Sequence, residues 1–281
     1  MNGTDSRQHT ALVDAHVHFH ACFDTEIFLA SARENFAAAA SEAGIEPGFT
    51  AFLLLTESAD ANWFSQLQER ASHGWKVCDL WNAHATSDDR EVRVVHSSGM
   101  ALNVVAGRQI VTAERLEVLA LGSAVTLPDG YPLLETIQRV SELGGVPVIP
   151  WGFGKWLGRR GRKVHDVLAT AAPGELFLGD NSGRLTGTRD PEQFVRARAK
   201  GIGILPGTDP FPFSEQARRV GRMGFVVRSS HPLSSWEQLR AAIIAREGIS
   251  AYGELEQPLP FVMNQVAMQV VKHTARRRVQ A

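Results

Sequence analysis

Cysteine is scarce in this chain of 281 residues, Cys22 and Cys78 being the two present. Two thiols cannot build a disulfide framework, and their spacing matches no zinc motif. They read as free thiols, buried or partly buried, in a reducing compartment. Net charge is nearly absent as well, with 29 Lys and Arg against 30 Asp and Glu. Such a chain has no global field to hold a polyanion, so nucleic acid and anionic membranes are not expected partners. No stretch reaches the ~18 uninterrupted apolar residues of a membrane span, and the opening MNGTDSRQHT lacks the apolar core of a signal peptide. A cytoplasmic protein is the expectation. There is no nucleophile elbow, no Gly-rich phosphate loop, no low-complexity tract and no Pro/Ser-rich linker. One domain over 1–281 is therefore expected, with 1–10 as a flexible N-terminus.

What is present is an ordinary globular composition, 44% hydrophobic and 21% charged, which excludes disorder, collagen and coiled coil. Short runs rich in Val, Ile and Leu alternate with helical periodicity, the pattern of a parallel sheet or barrel covered by helices. Strands are expected at 11–18, 50–56, 116–122, 146–151, 175–179, 202–207, 225–228 and 249–253. Helices are expected at 25–43, 60–72, 131–143, 160–171, 191–199, 214–222, 234–246 and 259–278. Gly144, Gly174, Gly201 and Gly224 each fall between a helical run and the next strand, where a C-terminal cap is needed. Residues 75–112 break the rhythm with strand after strand, which predicts a β-hairpin inserted before the 116–122 strand. The fold expected is an α/β, TIM-like (β/α)7–8 barrel carrying that insertion before its third barrel strand.

The segment VDAHVHFH carries the clearest chemistry. His16 and His18 stand two apart on a strand, so both rings point to one face, and the strand runs into a loop. At the C-terminal rim of a parallel barrel, two imidazoles beside a carboxylate begin a divalent metal site. After the strand ends further on stand Asp180, Asn181 and Arg184, in a segment that also reads as a turn. Lys155, Arg159, Arg160 and Arg162 follow another strand end, as anion-binding groups or as a solvated helix face.

VDAHVHFH resembles the opening motif of two families of metal-dependent hydrolases, the amidohydrolase superfamily and the polymerase and histidinol phosphatase (PHP) family. GRQIVTAERLEVLALG (107–122), ELGGVPVIPWGFGK (142–155) and GTDPF (207–211) are similar to later PHP motifs, in the same order. The resemblance covers about residues 11–250 and implies a distorted barrel that hydrolyses phosphate esters with up to three divalent ions. Matched residue by residue, His16, His18 and Asp209 correspond to metal ligands, Asp24 falls where the motif often has Asp or His, and Glu57 replaces an Asp. Gln109 stands for a bridging carboxylate, and Glu117, Trp151 and Phe211 each stand for a His. Neutral Gln109 bridges two dications poorly, and the Trp151 and Phe211 rings offer no lone pair. One ion, zinc, manganese or iron, is therefore the most this residue set implies. It would be held by His16, His18 and Asp209 with help from Glu117 or Asp24.

In the enzyme reading, Glu57 or Asp180 orients water, and Lys155, Arg184, Trp151 and Phe211 hold a small substrate that is phosphorylated in the family. Two alternatives stay open. One is a PHP-like barrel with a degenerate active site, acting as a module that binds a small ligand or another protein. The other is an amidohydrolase-type hydrolase. A homo-oligomer fits any of them.

Overall fold

The computed structural model of the chain describes residues 8–264 and 266–268. The first half runs β1 (His9–Val17), α1 (Thr25–Glu42), β2 (Thr50–Leu55) and α2 (Trp63–His73). Six strands then follow without a helix: β3 (Lys76–Cys78), β4 (Trp81–Ala85), β5 (Glu91–His96), β6 (Ala101–Val105), β7 (Gly107–Val111) and β8 (Glu117–Leu121). Alternation resumes with α3 (Leu133–Glu142), β9 (Val146–Pro150), α4 (Gly158–Thr170), β10 (Phe177–Asn181), α5 (Glu192–Ala199) and β11 (Ile204–Gly207). A 3-10 helix at Ser214–Arg219, β12 (Gly224–Ser229), α6 (Trp236–Ala245) and β13 (Ser250–Tyr252) complete the sheets. Helical turns follow over 258–264 and 266–268; the remainder of the helix expected at 259–278 lies outside the described residues. So do residues 1–7 of the expected flexible N-terminus, while His9 and Thr10 already belong to β1.

The barrel expectation is overturned by the strand pairing. Hydrogen bonds sort the strands into two open sheets, one of eight in the order β13-β12-β1-β2-β6-β5-β4-β3 and one of five in the order β11-β10-β9-β8-β7. A closed barrel leaves no strand edge, whereas here β13, β3, β11 and β7 are all edges. The parallel core of each sheet is short: β1, β2 and β6 in one, β9, β10 and β11 in the other. Antiparallel partners extend both. The segment expected as an inserted hairpin is not an insertion at all. Its strands β3 to β5 form a meander, and β6 joins β2 in parallel, so they continue the larger sheet. β7 opens the smaller one by pairing with β8.

The two sheets bury a shared apolar layer between them. Val13 and Ala15 of β1, Phe52 and Leu54 of β2, Leu119 of β8, Val148 of β9, Phe177 of β10 and Leu205 of β11 all belong to it. A second cluster packs the other face of the large sheet under α1 and α2, and a third packs the small sheet under α3, α4 and α5. The α1 sequence suits its place: Phe28, Leu29, Ala32, Phe36, Ala39 and Ala40 recur at helical spacing and are buried, while Glu34, Ala37, Ala38, Ser41 and Glu42, charged or small, are exposed. Asp24 starts this helix by accepting the Ile27 N–H at 2.9 Å, as an N-cap does. Among the described residues no helix is long and apolar enough to cross a membrane. Both cysteines are free; Cys22 is exposed rather than buried, and Cys78 is half-buried. Burial and the neighbouring Glu26 carboxylate push the Cys78 thiol up to about 12.

Candidate metal site

The carboxyl ends of β1, β9, β10 and β11 meet at one end of the layer between the sheets, and there the apolar filling gives way to polar side chains. The two sheets touch at this end through backbone: Asp209 N–H donates to the His16 carbonyl at 2.8 Å, and Gln109 N–H to the Glu57 carbonyl at 2.9 Å. A cavity of about 350 Å³ opens there, with His18, Gln109, Glu117, Lys155, Asn181 and Asp209 among its lining residues. Crevices at the carboxyl ends of parallel strands are the usual ligand sites of open α/β sheets.

The register of β1 against β2 shifts between Asp14 and Val17, just where its rings are needed, and such irregularities are common beside functional sites. The His16 and His18 Nε2 atoms lie 3.2 Å apart. Asp209 Oδ1 lies 3.4 Å from the first and 3.6 Å from the second. A point equidistant from three atoms so spaced is about 2 Å from each, the length of a zinc–nitrogen or zinc–oxygen bond. His16, His18 and Asp209 thus meet the geometric demand of one divalent ion.

Electrostatics agree with geometry. Burial pushes the His16 imidazole down to about 4, against the opposing pull of Glu117. Burial and the adjacent His16 push His18 down to about 3. Both rings are therefore neutral at pH 7 and offer lone pairs. Burial also raises the Asp209 carboxyl, against the opposing pull of His18 and Lys155. Among the described residues His16 Nδ1 is buried with no hydrogen-bond partner, which leaves Nε2 as that ring's working atom.

The surrounding bonds orient the donors. Asn181 Nδ2 donates to Asp209 Oδ2 and to the Trp151 carbonyl, each at 2.9 Å, turning Oδ1 toward the histidines. Such outer contacts fix ligand orientation in metal sites. Asp209 adopts φ 47°, a left-handed conformation that Asp tolerates better than most residues. Beneath the cluster, Asp14 is fully buried and accepts from Thr208 Oγ1 at 2.6 Å, Thr208 N–H at 2.8 Å and Gly221 N–H at 2.9 Å. Burial raises its carboxyl to about 6 in spite of those bonds. Asp14 ties β1 to the end of β11, a role its adjacency to the HxH pair did not reveal.

Several residues expected at the site are engaged elsewhere. Asp24 is the α1 cap and not a ligand. Glu57 accepts the Phe64 N–H at 2.9 Å and pairs with Arg108 at 3.2 Å, so it does not orient water in the cavity. Asp180 and Arg184 form a buried two-pronged pair, with Nε to Oδ1 at 2.9 Å and Nη2 to Oδ2 at 2.7 Å. Neither lines the cavity. Glu117, Lys155, Trp151 and Phe211 do line it, and the Lys155 ammonium pairs with Glu117. His20, on the same wall, bonds the Pro210 carbonyl at 2.9 Å. The basic run lies apart, around a separate pocket lined by Arg159, Arg160, Arg162 and Lys163 of α4. Gln109, a poor bridging ligand by its neutral amide, is part of the wall; its place on β7 is the signal in the sequence that points there.

The Asp180–Arg184 pair carries a direct prediction. Asp180→Ala leaves the buried Arg184 guanidinium with Asp190, at 3.3 Å, as its remaining acidic partner among the described residues, so the cost is expected at the low end of the ~3–5 kcal/mol of a broken buried pair, while metal content stays at the wild-type value. Urea unfolding and elemental analysis read the two quantities separately. A variant of normal stability that has lost its metal would return Asp180 to the site.

No family model matches the chain, and no curated protein does. The resemblance to PHP and amidohydrolase motifs therefore gains no support from those comparisons. Among solved structures the chain is similar to PsfC from Pseudomonas syringae PB-5123, with 15% identity and a TM-score of 0.53 over 94% of this chain and 99% of that one. At that identity the likeness is one of fold, shared over nearly the full length of both chains.

Proposed function

We propose that this protein is a metal-dependent hydrolase of small phosphoesters or related anionic esters, working with one divalent ion, zinc, manganese or iron. The observation that carries this reading is the convergence of His16 Nε2, His18 Nε2 and Asp209 Oδ1 within 3.2 to 3.6 Å of one another at the wall of an open cavity. A divalent ion bound there supplies Lewis acidity and lowers the pKa of water to about 7.

The chain's own groups supply the rest. Glu117 faces the cavity and takes the proton of the attacking water, the task of a general base. Lys155, held beside it by their ion pair, draws in the substrate anion and offsets charge on the leaving oxygen. Asn181 keeps the Asp209 carboxylate turned to the histidines. Asp180 and Glu57 stand outside the cavity, so among the described residues Glu117 is the carboxylate that lines it beside the ligand Asp209.

An aryl phosphate offered with manganese, zinc or iron tests the reading. Turnover that tracks metal content is expected, and Glu117→Gln lowers kcat by about 10²–10⁴ while keeping the ion. A protein that purifies without metal, melts at the same temperature in chelator and turns over no ester in any of the three metals overturns it. That result would leave a binding module in its place.

A further inference from the structure

The cavity lining is of two chemical kinds. His18 and Asp209 of the metal site, with Glu117 and Lys155, are polar, whereas Trp151, Phe153, Pro210, Phe211, Pro212 and Met268 are apolar. We propose, building on the hydrolase reading above, that the substrate carries a planar aromatic group beside its anionic head, seated against Trp151, Phe211 and Phe153.

Three observations support this. First, the Trp151 backbone is fixed from both sides, its N–H donating to the Gly179 carbonyl at 2.7 Å and its carbonyl accepting from Asn181. The residue that orients the ligand Asp209 therefore also sets the aromatic wall, which ties ring and head to one frame. Second, Phe153 is 63% exposed at the rim and meets Phe261 edge-on, with centroids 5.5 Å apart. A large ring left this open to water beside a polar site marks a surface that gains by being covered. Third, about 350 Å³ is near the lower end of the ~300–1,000 Å³ range of small-molecule sites. That leaves room for one head and about one ring. A bare phosphate would leave the wall wet.

Phenylphosphonate and methylphosphonate separate the ring from the chemistry, because both carry the same head and neither has an ester to cleave. Calorimetry on the manganese-loaded protein should give phenylphosphonate about tenfold tighter binding, roughly the gain from burying one ring face. Phe211→Ala should shrink that ratio several-fold and leave methylphosphonate affinity unchanged. The exposed Phe153→Ala, which carries little folding risk, should shrink it too. Equal affinities in a protein that holds its ion overturn the aromatic subsite and leave the hydrolase reading standing. A protein that holds no ion and binds neither probe overturns both.

Discussion

Dialysed against zinc or manganese, the wild-type chain is expected to retain one ion, and His16→Ala, His18→Ala and Asp209→Ala are each expected to lose it. The three donors form one triangle with edges of 3.2, 3.4 and 3.6 Å. Removing any corner leaves two contacts and a solvated ion. Affinity should fall by more than a hundredfold, beyond the roughly 10–100-fold that outer-contact changes produce in metal sites. Asn181→Ala supplies that second tier, since it frees Asp209 Oδ2 but keeps all three donors. Asp209→Asn keeps the side-chain size and removes the charge, so a loss there separates coordination from packing. Elemental analysis with circular dichroism on each variant gives both the stoichiometry and the fold. Retention of one ion per chain by folded Asp209→Ala would remove the metal from every functional statement above.

The His16 and His18 pair was legible because its logic is local, an HxH at the end of an apolar strand. Asp209 entered through the resemblance of GTDPF to a family motif, since nothing in its own neighbourhood names its partners. The element boundaries were legible for a similar reason: apolar runs and capping glycines mark them, and β1, β2, β9 and α1 fall close to the expected ranges. What failed needed the partners. Whether Glu57 faces a cavity or an arginine is decided by Arg108, 51 positions away in the chain. Asp180 reads as a rim acid until Arg184 folds back onto it.

The barrel failed on the same ground. Alternating strands and helices specify that sheets form, but closure depends on which edge finds which. From Lys76 to Leu121 the chain runs an antiparallel meander, joins β2 in parallel through β6 and then passes to the other sheet, in a way that apolar periodicity does not encode. Even so, the site is placed where the sequence put it, at the carboxyl ends of parallel strands. That placement rests on strand direction and does not require a closed cylinder.

Gly207→Ala should cost the most for the smallest change. A Cβ at Gly207 would stand 2.2 Å from the His16 backbone nitrogen, 2.6 Å from His16 Cβ and 2.9 Å from Asp14 Oδ1. Two of those contacts are parts of β1 that cannot swing aside, so β11 must move away from β1. The displacement stretches the Asp209 N–H bond to the His16 carbonyl and the Thr208 bonds to Asp14. Overpacking of this kind costs about 1–3 kcal/mol, and an Asp14 carboxylate deprived of buried donors adds about 1–3 kcal/mol. A fall of several kcal/mol in urea unfolding is therefore expected. The metal offers a second readout. An ion that binds the folded state alone raises stability by about 2.7 kcal/mol at a hundredfold excess over its dissociation constant. Added zinc should then raise the melting temperature of the wild type and leave that of Gly207→Ala unmoved, because the shift of β11 carries Asp209 away from His16. If zinc stabilises both chains equally, the close approach of β1 and β11 holds the fold but does not hold the site.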